Sequence, residues 1–116
     1  MESRVRARKF SYAPVALADL TEIHAYISET ASSVVADRVI GHIRQDIRRR
    51  RETPLLGAPR PDFGVGCRLL ISGRYAVYYS VVRSTMTVLR ILHTARDRDA
   101  IMRGVQEEGA PFAASA

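Results

Sequence analysis

The sequence predicts an α+β fold in which a helical hairpin packs on a small, mostly antiparallel sheet, in the order β-α-α-β-β-β-α. Two consecutive segments between Pro14 and Thr53 carry apolar residues at spacings of three and four, the period of amphipathic helices. The break between them is short, which favours an antiparallel hairpin. From Cys67 onward the texture changes to β-branched and aromatic residues in three runs, CRLLIS, RYAVYYSVV and TMTVLRILH, joined by connections of hairpin length.

The chain opens with a weak strand signal from Arg6 to Tyr12, placed at a sheet edge or beside the last strand. Pro14 suits the first turn of a helix, and Leu17, Leu20, His24 and Ile27, with Ile23 beside them, form its apolar stripe. Asp19, Glu22 and Glu29 fall off that stripe. Ser32 and Ser33 offer a cap to a second helix, whose Val35, Val39, Ile43 and Ile47 recur every four residues and whose Ala36 and Ile40 widen the face. Arg48, Arg49, Arg50 and Arg51 suit the negative end of that helix, and Thr53-Pro54 stops it. Pro54 to Gly66, rich in proline and glycine, reads as a loop.

In the strand meander, Gly73 makes the first turn and Arg83-Ser84 the second. Tyr75, Val77, Tyr79 and Val81 share one face of the middle strand, the better match to the helices. The face holding Ala76, Tyr78 and Ser80 is left to solvent or a partner. Ala95 to Val105 supplies a short last helix with Ile101, Met102 and Val105 on its apolar side. Residues 1–106 are expected to form a single domain and residues 107–116 a loose tail.

The chain has 116 residues and a formal net charge of +6, and Lys9 is the only lysine among its 18 basic residues. Such a surface favours an anionic or acidic partner. The lone Cys67 cannot form an intramolecular disulfide. The residues MESRVRARKF lack the apolar run of a signal peptide, and no run of about 18 apolar residues occurs, so a cytoplasmic location without a membrane span is expected. No set of histidines and acids has metal-ligand spacing and no phosphate-loop or dinucleotide motif occurs, so no metal or cofactor is expected.

Among residues able to do chemistry, Cys67 reads as a buried thiol at a strand start, because no base accompanies it. His24 reads as a packed ring and His42 as a solvated one. His93 closes the last strand, where a structural hydrogen bond competes with proton transfer, for which its reference pKa of about 6.5 is suited. Arg96-Asp97 can form an ion-paired cap on the last helix. A basic nucleic-acid-binding module is suggested by charge alone: there is no recognition-helix signature, and the aromatic residues fall at strand-core spacing.

The segments YAPVALADLTEIHAYISE, ETPLLGAPRPD, CRLLISGRYAVYYSV and VLRILHTARD, in that order, resemble the ParE branch of the ParE/RelE toxin superfamily. The resemblance spans about residues 8 to 103, and its most specific pieces are RYAVYY and LRILHTARD. It implies a toxin of a type II toxin-antitoxin pair, held in a hetero-oligomer by a ParD-like antitoxin. Characterised ParE members act on DNA gyrase, whereas RelE members cut messenger RNA.

RNA cleavage of the RelE kind needs a base for the ribose hydroxyl, cations for the phosphorane and an acid for the leaving oxygen. Against the pattern the resemblance implies, Ala76 stands where RelE nucleases carry an in-strand arginine and Met102 where they carry a tyrosine, while Arg96 has a counterpart. Arg68 lies near positions where nucleases place lysines, but an arginine is a poor base. The leading expectation is therefore inhibition of gyrase by protein binding, with no catalytic centre. The alternative is an endoribonuclease using Arg68, Arg74 and Arg96 for charge and His93 for proton transfer. Arg68, Arg74, Arg90, Arg96 and Arg98 are the candidates for contact with the antitoxin or the target.

Overall fold

The computed structural model describes residues 6–106; the tail expected at 107–116 lies outside the described residues. The chain runs β1 (Lys9–Tyr12), α1 (Pro14–Thr30), α2 (Ser33–Glu52), β2 (Ala58–Pro59), β3 (Cys67–Ser72), β4 (Tyr75–Val82), β5 (Thr85–His93) and α3 (Arg98–Gln106). One sheet takes the order β1-β5-β4-β3-β2, with β1 parallel to β5 and the other neighbours antiparallel. The opening strand is therefore both an edge and the neighbour of the last strand. It begins at Lys9 rather than Arg6, because the Ala7 N–H donates to the Arg51 carbonyl in the last turn of α2. The N–H groups of Arg8 and Lys9 then reach the Ser84 carbonyl and start the pairing.

The helices form the expected hairpin. Ser32 caps α2, its Oγ accepting the Val35 N–H at 3.1 Å. Ala36, Ile43 and Ile47 are buried and Val39 and Ile40 pack beside them, against Tyr75, Val77, Tyr79 and Val81 of β4 and Met86, Val88 and Ile91 of β5. The stripe of α1 differs from the expected one: it runs through Ala16, Leu20, Ile23 and Ile27, with Asp19 buried among them. Leu17 is exposed, and His24 turns sideways to Asp37 on α2, Nε2 to Oδ1 at 2.8 Å.

The region expected to be a loop, 54–66, holds two 3-10 turns, Pro54–Leu56 and Pro61–Phe63, with the edge strand β2 between them. Tyr79 organises it. The Tyr79 hydroxyl donates to the Pro54 carbonyl at 2.6 Å and accepts the Gly57 N–H at 3.2 Å and Arg50 Nη1 at 3.4 Å. Glycine is required at 57 by close approach, since a Cβ there would collide with that hydroxyl and with the Leu69 carbonyl.

The second sheet face is covered rather than open. Phe63 stacks on Tyr78 with ring centroids 4.1 Å apart, and Cys67, Ala76, Leu89 and Leu92 are buried with them. Ala100 and Ile101 of α3 close this layer. Met102, expected on the apolar side, is exposed, and the Val105 side chain lies outside what is described. Between the partners of Tyr78 and Tyr79, β5 carries one extra residue, Leu89. This bulge slips the alternation, so that Val88 and Ile91 both reach the helix-side core while Leu89 and Leu92 reach the other.

Candidate functional site

Arg74, Arg90, His93 and Arg96 lie around the corner where α1, the β3–β4 turn, the end of β5 and the approach to α3 meet. Their placement starts from strand register: His93 pairs with Tyr75, and their rings meet edge to face at 5.2 Å. Beyond His93 the chain turns at once. His93 Nδ1 accepts the N–H of Arg96 at 2.9 Å and of Ala95 at 3.2 Å, and the His93 N–H donates to Asp97 Oδ2 at 2.7 Å. Two N–H donors aimed at Nδ1 put the ring proton on Nε2. In that tautomer Nδ1 is committed to the turn and Nε2 carries a hydrogen-bond donor.

Asp97 was expected to cap α3 as half of an ion pair. Its carboxylate points back to the His93 N–H, its backbone carbonyl accepts the Ile101 N–H, and Arg96 approaches it only to 3.9 Å. The Arg96 guanidinium lies instead over the Tyr26 ring, 4.7 Å from its centroid.

Arg90 is committed inward. Its Nε and Nη2 meet the two oxygens of Asp19 at 2.8 and 3.0 Å, and Asp19 Oδ2 also accepts the Ile91 N–H at 2.8 Å. The carboxylate beside it raises the guanidinium pKa further. Glu22, Tyr26, Arg96 and Asp97 surround this pair in a cavity of about 300 Å³. Neither Asp19 nor Tyr26 was expected at the site. The signal for Asp19 was its position between Ala16 and Ile23 in steps of three and four.

A larger, mostly apolar groove of about 510 Å³ adjoins it, floored by Ile27, Val35, Val39 and Tyr75 and rimmed by Arg74 and His93. Arg74, His93 and Arg96 thus share one corner. Arg98 is exposed at the start of α3. Arg68 is elsewhere: opposite Tyr79 in the register, it donates through Nη1 to the carbonyls of Gly57 at 2.8 Å and Leu55 at 3.1 Å. Ala76 is buried in the second core layer. The Cys67 thiol is buried too, and that burial pushes its pKa up to about 12, which keeps it protonated and unreactive.

Among the described residues, no group of three or more His, Cys, Asp or Glu side chains could hold a metal ion, and no helix is long and apolar enough to cross a membrane. The corner offers an apolar groove with Arg74 and Arg96 beside it, the ingredients of a binding surface.

Comparison with known proteins bears on what that surface meets. The sequence model of the ParE toxin of the type II toxin-antitoxin system parDE matches residues 10–98. The curated proteins give no match. Among solved structures, the fold resembles one from the chromosomal ParDE TA system of P. aeruginosa, with a TM-score of 0.66 at 20% identity over 75% of this chain and 96% of that one. It also resembles a chain of the toxin-antitoxin complex RelBE2 from Mycobacterium tuberculosis, with a TM-score of 0.54 at 15% identity over 78% of this chain and 95% of that one.

Proposed function

Since the chain belongs to the ParE toxin family of type II toxin-antitoxin systems, we propose that it acts as a toxin by binding DNA gyrase, without a catalytic centre of its own, and that a ParD-like antitoxin neutralises it. The observation that carries this reading is the state of His93. With Nδ1 accepting two backbone N–H groups, the histidine best placed for proton transfer is engaged in closing the turn after β5. Arg68 and Arg90 are likewise held by internal acceptors. The apolar groove between the helical hairpin and the β3–β4 turn suits an amphipathic antitoxin segment with acidic residues for its arginine rim.

The second reading, RelE-like cleavage of messenger RNA, draws on the convergence of Arg74, His93 and Arg96 at one corner. One experiment separates the two. Purified gyrase supercoils plasmid with and without the protein, and ribosome-bound messenger RNA is assayed for cleavage in parallel, using wild type and His93→Asn. Asparagine keeps a side-chain acceptor for the turn but cannot shuttle a proton at neutral pH. Inhibited supercoiling with accumulated DNA breaks, retained by the variant, is expected. RNA cleavage abolished by His93→Asn, with gyrase unaffected, overturns the reading.

A further inference from the structure

The opposite edge of the molecule carries a second surface, built where β1 lies along the C-terminal half of α2. Arg44, Arg48 and Arg51 follow one another at steps of four and three, so they form a single row down the helix. Two rings of β1 support it. The Arg44 guanidinium lies 5.1 Å from the Tyr12 centroid and that of Arg51 lies 5.6 Å from the Phe10 centroid. Arg48 belongs to the same row, its charge acting with that of Arg44 on the Tyr12 hydroxyl. Arg51 also donates to the carbonyls of Ala7 and Arg8, which fixes the row to the strand. Arg8, just before β1, and Lys9, its first residue, are exposed, and Arg83 is exposed at the β4–β5 turn, whose Ser84 carbonyl holds β1.

The acids of α2 have partners of their own, and only Glu52 stands at an end of this row. Asp37 pairs with His24, Asp46 accepts the Ser72 hydroxyl at 2.7 Å, and Glu52 pairs with Arg6 at 3.0 Å. The Arg48–Arg51 run is also divided by the helix. Arg50 reaches Tyr79, and Arg49 lines a cavity with Leu56 and Ile71, leaving Arg48 and Arg51 to the β1 side. The result is a strip of one sign, bordered at one end by the Arg6–Glu52 pair.

We infer that this strip, formed by Arg8, Lys9, Arg44, Arg48, Arg51 and Arg83, binds the phosphate backbone of duplex DNA. The row from Arg44 to Arg51 spans about 10 Å at the helical rise, enough to face about three phosphates of one strand at roughly 3.4 Å of axis each. The exposed Arg48 guanidinium can match phosphate oxygens two at a time, whereas Arg51, whose Nε and Nη2 hold the Ala7 and Arg8 carbonyls, adds charge to the row. A peptide partner would need pockets for apolar anchors. Apolar surface borders the strip only at its ends, where Leu17 and Ile40 share a cavity with Arg44 and Val82 precedes Arg83; no exposed large apolar residue lies on β1 or between Arg44 and Arg51. A single strand would need open rings for stacking, whereas Phe10 and Tyr12 are overlaid by arginines. The choice of DNA over an RNA duplex rests on the reading of gyrase as the target, where the toxin would touch the enzyme and the DNA it holds.

The test uses the full chain and a fluorescent DNA duplex of about 20 base pairs, without gyrase, over a salt series. Wild type is expected to bind with affinity that falls steeply with salt. Arg8→Gln/Lys9→Gln/Arg48→Gln, all at exposed positions, should lower the log–log salt slope by about 2.7. The control Arg38→Gln/Arg49→Gln/Arg98→Gln removes equal charge elsewhere and should shift the slope by less than one. Unfolding curves confirm that both variants are folded. Equal losses in the two variants would reduce the effect to net charge and overturn the strip. So would absence of duplex binding, tighter binding to RNA or single strands, or loss of antitoxin affinity alone in the strip variant. A protein that binds duplex through the strip but leaves gyrase unaffected keeps the strip and removes the gyrase reading.

Discussion

Asp19 on α1 and Arg90 on β5 form a bidentate ion pair, at 2.8 and 3.0 Å, that joins the helical hairpin to the sheet. Only 10% of the Asp19 side chain and 22% of that of Arg90 is exposed, so each charge depends on the other for compensation. Asp19→Ala is expected to destabilise the fold by about 3 kcal/mol, because it leaves the guanidinium uncompensated. The double variant Asp19→Ala/Arg90→Met should recover part of that loss. It cannot recover all of it, since the Ile91 N–H also loses its acceptor. Urea unfolding of the two single variants and the double variant measures the coupling; additive losses would mean the pair contributes nothing jointly.

That pair also shows where sequence reasoning fails. The expected stripe of α1 took Leu17 and His24 because apolar character was the guide, and an aspartate reads as surface. Its partner is 71 residues away, and no local pattern reports such a contact. The second core layer was hidden for a related reason. Phe63 sits in a proline-glycine segment without periodicity, and it becomes core only because the 3-10 turn at Pro61–Phe63 lays it on Tyr78. The β3–β5 meander was legible because its alternation is strict around Tyr75, Val77, Tyr79 and Val81 and because Gly73, with φ of 59°, marks the turn. The strand-closing role of His93 was readable from its place at a strand end. Its double acceptor geometry was not, since it depends on how the chain turns through Ala95 and Arg96.

Tyr79 gives a stability prediction of a different kind. Its hydroxyl is the partner of a buried carbonyl, at Pro54, and of a buried N–H, at Gly57. Tyr79→Phe keeps the ring and is expected to cost about 1–3 kcal/mol, because both backbone groups are left without that partner. Gly57→Ala should cost as much or more, since the added methyl meets the hydroxyl and the Leu69 carbonyl, one of them unable to move without the sheet. In Tyr79→Phe the hydroxyl is gone, so the alanine should be tolerated better there than in wild type. A double-mutant cycle on thermal or urea unfolding reads this directly; an unchanged cost for Gly57→Ala in both backgrounds would place the clash at Leu69 alone.

Cys67 sets a pH dependence on the alkaline side. Burial raises the thiol pKa from an ordinary value of 9.0 to about 12, so between those limits the folded chain keeps a proton that the unfolded chain releases. The stabilisation is fully present below pH 9 and is lost as pH rises toward 12. One unit above the unfolded value the loss is about 1.4 kcal/mol. Comparing wild type with Cys67→Ala at pH 8 and pH 10 isolates this contribution from the tyrosines, which are common to both. Wild type should lose more stability across that interval. The same burial predicts that iodoacetamide labels the native thiol only through opening of the fold, at a rate that rises with urea.

Tyr26 is the side chain through which the two cavities at the candidate corner communicate. Half of it is exposed, at 50%, yet its ring carries the Arg96 guanidinium, and it lines both the Arg90 cavity and the apolar groove. A partly exposed tyrosine beside an apolar groove and a cationic rim has the character of an interface anchor. With the antitoxin as the groove's occupant, Tyr26→Ala should weaken the complex by about 2 kcal/mol, roughly 30-fold in Kd, with the unfolding midpoint little changed. Tyr26→Phe separates the contributions: it preserves the ring under Arg96 and should retain most of the affinity. Titration calorimetry of the three proteins with the cognate antitoxin decides the matter. If Tyr26→Ala binds as tightly as wild type, the antitoxin lies elsewhere and the groove is left for the toxin's target. If Tyr26→Phe is as weak as the alanine variant, the hydroxyl rather than the ring makes the contact, and Arg96 is held at the corner for another purpose.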